Sequence, residues 1–221
     1  MKPGSRRAWT QVVTAGDYET HMAAVGQAEA AASLTRSLLR AASLRTGGRV
    51  TIVGAGTGQF LDYLDDRVLR PFRLTFTDIN SAFLEILRKR LRRHGLTASV
   101  LEDDIERSRL PSSPDLLLAS LVLEHIDWRA GVKAIAGIRP RFCGLIVQEN
   151  PPGMDSALTP GRTVPPSIAE AMTLAHPSLI PRRRLTEAMA RVQFRCEFVE
   201  AVPVADRKQL IGLLFRAAER T

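Results

Sequence analysis

Three glycines on alternate positions follow a short apolar run, and this feature limits the fold of the chain more than any other. The stretch reads VTIVGAGTGQF, in which β-branched and apolar residues at 50–53 precede Gly54, Gly56 and Gly58. β-Branched residues favour a strand, and glycine accepts the left-handed backbone of a tight turn and lets a ligand approach the main chain. A helical pattern begins at Gln59. The sequence therefore predicts a strand, a glycine turn and a helix that together bind a ligand.

Further strand candidates follow, and helical patterns stand between them. This alternation predicts an α/β protein with a doubly wound, seven-stranded, mostly parallel sheet and an antiparallel last strand. The ligand of such a sheet lies beyond the carboxyl ends of its strands. The predicted strands after the glycine turn are Arg73 to Phe76, Ala98 to Leu101, Asp115 to Ser120, Cys143 to Gln148 and the terminal pair FRCEFVEAVPV and QLIGLLFRA, and the predicted helices include Asp17 to Leu44, Ser81 to His94, Ile168 to Ala175 and Arg183 to Val192.

The chain has 221 residues, of which 45% are hydrophobic, and this length and composition fit one domain. We expect a single domain over residues 1–221 with four parts. Residues 1–46 form an N-terminal helical cap, 49–150 the ligand-binding core, 151–181 an insertion or lid, and 182–221 the terminal helix and strand pair.

Charge and cysteine usage restrict the partners. The net charge of +8 allows an anionic partner, but aromatic residues make up only 5% of the chain, which argues against stacking on single-stranded nucleic acid. Cys143 and Cys196 are far apart and form no metal-binding pattern, so neither a disulfide framework nor a metal site is expected. The sequence has no apolar run of the roughly 18 residues that a membrane span needs. We therefore expect a cytoplasmic protein with no membrane partner.

The glycine spacing and two acidic residues indicate which ligand the turn binds. A dinucleotide fingerprint G-x-G-x-x-G needs glycine at position 59, where this chain has Gln59. Asp78 ends the second strand, where a carboxylate meets a ribose diol. Asp104 follows the third strand beside Ile105, where an adenine edge and face would be held. These residues predict an adenosine-containing ligand other than a dinucleotide.

The series VTIVGAGTGQF, FTDIN, LEDDIE and PDLLLASLVLEHID resembles the motifs of class I S-adenosylmethionine-dependent methyltransferases, in particular the small-molecule type 11/type 25 group. The resemblance extends from about Arg49 to Gln148. It implies a Rossmann-like methyltransferase fold, S-adenosyl-L-methionine as cofactor and methyl transfer as the activity. The cofactor contacts that it implies are Gly54, Ala55, Gly56, Thr57, Gly58, Asp78, Ile79, Asp104 and Ile105, with Ser120 and Leu121 at the methionine end.

One position departs from this family pattern. The family often has an acidic residue two places before the first glycine, where it helps to hold the amino group of the cofactor, and this chain has Ile52 there. Tyr18, His21 and Gln27 in the N-terminal helical segment are then candidates for that task. A non-catalytic protein that keeps the fold but has lost the cofactor is the alternative interpretation.

Methyl transfer is an in-line displacement in which proximity and orientation supply most of the catalysis. Glu124 and His125 follow the fourth strand, and we take them as the candidate catalytic residues, with His125 as a general base. The alternative is that His125 packs locally at a helix start. Arg88 to Gly95 reads as the solvated face of a helix, whereas Arg182 to Arg184 stands beside the insertion and is the candidate for binding an anionic acceptor.

The predicted function is methyl transfer to an oxygen or nitrogen atom of a small molecule, such as a secondary metabolite. The cap and the insertion motivate this prediction, because together they can close over a compact acceptor. An RNA methyltransferase is one alternative, supported by the +8 charge. A non-catalytic partner subunit is the other, and the oligomeric state stays open.

Overall fold

A computed structural model of the protein describes residues 3–110, 113–159 and 161–218. Residues 1–2, 111–112, 160 and 219–221 lie outside the described residues and belong to the predicted cap, core, insertion and terminal part, respectively. The strands are β1 (Arg49–Val53), β2 (Arg73–Asp78), β3 (Ala98–Glu102), β4 (Leu116–Ser120), β5 (Phe142–Glu149), β6 (Phe194–Pro203) and β7 (Gln209–Ala217).

These strands form one seven-stranded sheet in the order β3-β2-β1-β4-β5-β7-β6. Strands β1 to β5 pair in parallel, and β7 runs antiparallel to both β5 and β6. The predicted fold class, including the antiparallel last strand, is therefore confirmed. The strand order reverses between β1 and β4, and a sheet of this kind opens a crevice at that point.

Helices cover both faces of the sheet. Apolar residues of α3 and α4 pack on one face, and those of α5 and α7 pack on the other. A third apolar cluster joins the N-terminal segment to α6, and it contains Ala8, Phe83 and Ile168. The helices are α1 (Pro3–Arg7), α2 (Ala15–Ala24), α3 (Gln27–Ala42), α4 (Ser81–Arg93), α5 (Trp128–Ile138), α6 (Pro166–Ala175) and α7 (Arg182–Arg191), and a π-helical segment (Ala8–Val12) follows α1.

The strands next to the crevice are buried because helices cover both of their faces. In β4 the residues Leu116 to Ala119 are all buried, as the continuous apolar run predicted. In the edge strand β6, buried or half-buried residues alternate with exposed ones. In the described part of the chain no helix is long and apolar enough to cross a bilayer.

One predicted helix differs from the structure. The helix expected after the glycine turn is replaced by two short 3-10 turns, Gln59–Tyr63 and Asp66–Val68. Leu64 between them is extended, and the side chain of Asp65 accepts a hydrogen bond from the Arg67 N–H, which competes with an α-helical bond. The pattern from Asp17 to Leu44 indicated one or two helices, and it forms two, α2 and α3, which are separated at Gly26, whose φ is +73°.

Candidate functional site

A cleft lies at the carboxyl ends of β1 to β4, where the strand order reverses. It contains about 1210 Å³ of empty space, part of which is open to solvent. The strand ends form its floor, and the N-terminal helices and the segment between β5 and α7 cover it. The cleft thus lies where a sheet of this kind binds its ligand.

The glycine turn forms one wall of the cleft and requires its glycines. Gly56 has φ of +57°, and a Cβ on it would lie 3.0 Å from Oη of Tyr18. Gly58 has φ of +72°, and a Cβ there would lie 2.4 Å from Cδ1 of Leu87. Gly54 and Gly56 line the cleft. Among the other predicted contacts of this turn, Ala55 lines a smaller adjoining cavity, while Thr57 and Gly58 line neither.

Asp78 is fixed at the end of β2 and faces the cleft. Its Oδ2 accepts a hydrogen bond from the Gly56 N–H at 2.8 Å, and its Oδ1 accepts one from the Asn80 N–H at 2.9 Å. Burial raises the pKa of Asp78, and the backbone N–H donors oppose that shift. Ile79 also lines the cleft. The predicted ribose-binding carboxylate is therefore joined directly to the glycine turn.

The structure corrects the position of the acidic residue after β3. Asp104 does not line the cleft: its Oδ2 accepts a hydrogen bond from Arg6 at 2.8 Å, and its Oδ1 caps the following turn at the Glu106 N–H. Asp103 lines the cleft instead, together with the predicted Ile105. Oδ2 of Asp103 is buried and has no hydrogen-bond partner among the described residues. Sequence reasoning missed Asp103 because adjacent acidic residues after a strand give no sign of which one turns inward.

Aromatic rings from the N-terminal segment cover the glycine turn. Tyr18 lines the cleft, and its ring lies 5.3 Å from that of Phe83 and 6.3 Å from that of Trp9, measured between centroids. Burial and the nearby Asp78 carboxylate raise the pKa of Tyr18. The Asn80 side chain donates to the Trp9 carbonyl at 2.7 Å and so attaches this segment to the end of β2. Trp9 and Tyr18 thus form part of a cap over the cleft.

The other two N-terminal candidates also line the cleft. Gln27 donates to Oε1 of Gln148 at 2.8 Å. The pKa of His21 is lowered by burial and by the positive charges of Arg162 and Lys208. Both side chains lie with Tyr18 on the side of the cleft that α2 and α3 cover. The fold thus brings together all three candidates for binding the amino group of the cofactor.

Ile52 occupies an apolar environment. It is 5% exposed and belongs to the core cluster that contains Ala31 and Leu118. It also lines the smaller cavity between α3 and the glycine turn. An ionised carboxylate here would be buried without a counter-charge, which is costly. The fold therefore accommodates the departure from the family pattern by packing α3 against this position.

Ser120 and Leu121 follow β4 and line the cleft, as predicted. Leu121 has φ of +55°, a conformation that costs a leucine roughly 1–2 kcal/mol. Its N–H donates to the Ile146 carbonyl at 2.8 Å, which holds it in place. Strained backbone of this kind is concentrated at functional sites.

Glu124 and His125 lie on a 3-10 turn after β4 (Leu123–His125), and both line the cleft. Oε1 of Glu124 accepts a hydrogen bond from the Gln148 N–H at 2.9 Å, whereas Oε2 is buried with no partner among the described residues. Burial raises the pKa of Glu124 to about 7. Burial also lowers the pKa of His125 to about 4, and its ring lies 4.6 Å from that of Trp9. His125 therefore both packs locally and faces the cleft.

The segment between β5 and α6 is attached to the β6–β7 turn. Arg162 donates to both carboxylate oxygens of Asp206, at 2.7 and 2.6 Å, and Lys208 donates to the Ala157 carbonyl at 2.7 Å. Gln148 donates to the same carbonyl at 3.1 Å. These bonds hold the predicted insertion over the mouth of the cleft.

Arg90 and the cluster Arg182 to Arg184 differ from the sequence-based expectation, whereas Arg92 and Arg93 are exposed as predicted. Arg90 was expected on a solvated helix face, but it is buried and donates to Asp62, Glu19 and the Thr57 carbonyl. Arg182 to Arg184 form the first turn of α7 and are exposed, and none of them lines the cleft. Arg183 pairs with Glu187. The structure thus contradicts the assignment of this cluster to the acceptor site.

Comparisons with known proteins agree with the fold. Residues 50–140 match the family model of a methyltransferase domain. No curated protein sequence matches the chain. Among similar solved structures, magnesium protoporphyrin IX methyltransferase from Synechocystis PCC 6803 with bound S-adenosylhomocysteine is 13% identical, with a TM-score of 0.66 over 86% of this chain and 83% of that one.

Two other similar structures carry different names. The [4+2]-cyclase SpnF is 17% identical, with a TM-score of 0.65 over 86% of this chain and 82% of that one. Mitomycin 7-O-methyltransferase is 18% identical, with a TM-score of 0.56 over 84% of this chain and 54% of that one. At these identities the likeness establishes the fold.

Proposed function

We propose that this chain, whose residues 50–140 match a methyltransferase domain, uses S-adenosylmethionine to transfer a methyl group to an oxygen or nitrogen atom of a small molecule. The observation that carries the proposal is the cleft itself, in which the glycine turn, Asp78 and the end of β4 converge under a cap. A secondary metabolite is one acceptor of this size.

The residues present fit S-adenosylmethionine. The carboxylate of Asp78 suits a ribose diol, and the buried, unpartnered Oδ2 of Asp103 suits the amino group of an adenine, with Ile105 beside it as an apolar surface. Gly54 and Gly56 line the cleft, where an amino-acid tail can contact their main chain. When bound, the cofactor supplies an electrophilic methyl group on a positively charged sulfur.

The chain's own part in the reaction is then to bind, orient and exclude water. The cap and the insertion cover the cleft, which limits the access of water and fixes two reactants at short range. Glu124 and His125 stand at the end of β4 as the groups that can hold or take a proton.

The lining supports a small acceptor over RNA. No lysine or arginine side chain lines the cleft in the part of the chain that the structure describes. Nucleic-acid sites rely on such side chains to neutralise phosphates. The fold alone does not choose the reaction, because one similar structure is named as a [4+2]-cyclase.

Calorimetric titration with S-adenosylhomocysteine, with NAD as the control ligand, tests the proposal first. We expect binding of S-adenosylhomocysteine alone, with loss of that binding in Asp78→Ala. Methyl-labelled S-adenosylmethionine then reports transfer to a library of small hydroxyl and amino compounds or to total RNA. Absence of cofactor binding in the folded wild type, or transfer to RNA alone, would overturn the proposal.

A further inference from the structure

Glu124 lines the cleft and has an unsatisfied carboxylate oxygen. The side chain is 5% exposed, and Oε1 is fixed by the Gln148 N–H while Oε2 has no hydrogen-bond partner among the described residues. The carbonyl of Glu124 also accepts a hydrogen bond from the Ser178 N–H at 2.7 Å, so the backbone is fixed as well. A buried acceptor without a donor is costly, and a ligand that supplies the donor removes that cost.

The part of the cleft that the cap and the insertion cover is apolar. Its side chains come from α2, α6 and the irregular segments on either side of α6, so that no single element sets its shape. An acceptor bound here has an apolar body. The apolar residues that line this part are Met22, Leu158, Ile168, Met172, Pro177 and Leu179.

The charges around the cleft disfavour an anion. The pKa of Tyr18 is raised, and the pKa values of His21 and His125 are lowered, so these side chains are uncharged near neutral pH. The remaining titratable groups that line the cleft, Asp78, Asp103 and Glu124, are carboxyl groups. No cationic side chain in the described lining compensates them.

The two cations nearest to His21 already have partners. Arg162 donates to both oxygens of Asp206, and the Lys208 ammonium donates to the Ala157 carbonyl. Neither of these cations lines the cleft. A carboxylate or phosphate acceptor would therefore be desolvated without a counter-charge from the protein.

We propose that the acceptor is an uncharged, largely apolar molecule whose hydroxyl or neutral N–H at the reacting atom donates a hydrogen bond to Oε2 of Glu124. This inference rests on the proposed function and narrows its substrate class. As the acceptor atom bonds to the methyl carbon, the carbon–sulfur bond breaks with its electron pair remaining on sulfur, and the acceptor proton passes to Oε2. The positive charge of the sulfonium and the negative charge of the carboxylate disappear together.

Two matched sets of probes test the substrate class: phenol, anisole and benzoate, and naphthol, methoxynaphthalene and naphthoate. Each is titrated calorimetrically into the wild-type protein saturated with S-adenosylhomocysteine, at pH 8. Loss of a hydrogen bond to a charged group costs roughly 1.5–3 kcal/mol, or about tenfold or more in affinity. We therefore expect the hydroxyl compound of a set to bind at least about tenfold more tightly than its methoxy and carboxylate partners.

The variant Glu124→Gln tests the role of the carboxylate. We expect its preference for hydroxyl over methoxy compounds to fall below about threefold, because a neutral amide oxygen is the weaker acceptor. Glu149→Gln is the matched control, since Glu149 is also a glutamate near the end of a central strand but does not line the cleft. It should keep the wild-type preference.

A second variant keeps the proposal testable if Glu124→Gln does not fold. Met172→Lys adds a cation to the apolar part of the cleft and should raise the affinity of naphthoate relative to naphthol by about tenfold. An unchanged ratio would contradict the placement of the acceptor.

The outcomes separate this inference from the proposed function. Failure of the wild type to bind S-adenosylhomocysteine defeats the proposed function. Binding of S-adenosylhomocysteine combined with equal or tighter binding of the carboxylates overturns only the inference, and so does the binding of none of the six probes.

Discussion

Truncation of Arg90 to alanine removes the side chain that joins the N-terminal cap to the glycine turn. The guanidinium donates to Glu19 on α2 at 2.9 Å, to Asp62 at 3.0 Å and to the Thr57 carbonyl at 2.5 Å. Arg90 itself is 8% exposed. The truncation therefore leaves three acceptors without their donor, one of them in the turn that is predicted to hold the cofactor.

The size of the effect follows from these bonds. A hydrogen bond to a charged group contributes roughly 1.5–3 kcal/mol. The side chains of Glu19 and Asp62 are 29% and 30% exposed, so water replaces part of the lost interaction, and Asp62 keeps Arg93 and His94 as partners. We expect the free energy of unfolding to fall by about 3 kcal/mol in total.

Urea unfolding followed by circular dichroism measures this loss, and thermal unfolding should show a Tm lower by roughly 6–12 °C. The affinity for S-adenosylhomocysteine should fall as well, because the Thr57 carbonyl and α2 lose their common anchor. Arg92→Ala is the control, since Arg92 is an exposed arginine on the same helix and its loss should change stability by less than about 0.5 kcal/mol. Equal stabilities of the two variants would refute the reasoning.

Three further predictions follow from the site. Gly58→Ala adds a Cβ 2.4 Å from Cδ1 of Leu87 and should destabilise the protein by about 1–3 kcal/mol more than Gly153→Ala. Gly153 is the control because it also has positive φ but has open space around it. Urea unfolding measures the difference, and equal losses of stability would show that the clash relaxes. Asp78→Asn should weaken S-adenosylhomocysteine binding by roughly 10- to 100-fold in calorimetry, since the charged acceptor is lost; an unchanged affinity would place the ribose elsewhere. The pKa of Glu124 is raised from 4.5 to about 7, so the folded protein favours the protonated carboxyl. The free energy of unfolding of the wild type therefore falls as the pH rises from 4.5 through 7. Between pH 4 and pH 8, the free energy of unfolding of Glu124→Gln should therefore rise by about 3 kcal/mol relative to that of the wild type. A difference in unfolding free energy that stays constant with pH would contradict the burial argument.

The sequence predicted most of the fold because the periodicity of its apolar residues is local. The continuous apolar run of β4, the alternating terminal strands and the glycine turn after β1 each lie within a few residues of chain. The prediction was wrong at Gln59 to Leu69, where the apolar residues have helical spacing but the structure has no α-helix. Leu64 is extended there, and the side chain of Asp65 accepts a hydrogen bond from the Arg67 N–H. Such competition between a short side chain and the backbone is not visible in periodicity.

The site was predicted where a residue's place at a strand end sufficed. Asp78, Ile105 and Ser120 face the cleft because parallel strands end at one edge of the sheet. Tyr18, His21 and Gln27 were candidates only because Ile52 replaces the acidic residue that often binds the amino group of the cofactor. The packing of α2 and α3 brings all three to the same cleft. The motifs thus pointed to residues that line the cleft and are predicted to bind the cofactor, but they said little about residues that would bind the acceptor.

By itself, then, the sequence determined where along the chain the strands, the glycine turn and the acidic residues after the strands lie, because these features depend on neighbouring residues. Only the tertiary structure decided that Asp103 faces the cleft while Asp104 binds Arg6, and that Arg90 is buried while Arg182 is exposed. It also decided that Glu124 keeps one oxygen without a partner. These outcomes depend on which distant segments pack together, and burial and hydrogen bonding between such segments leave no local pattern to read.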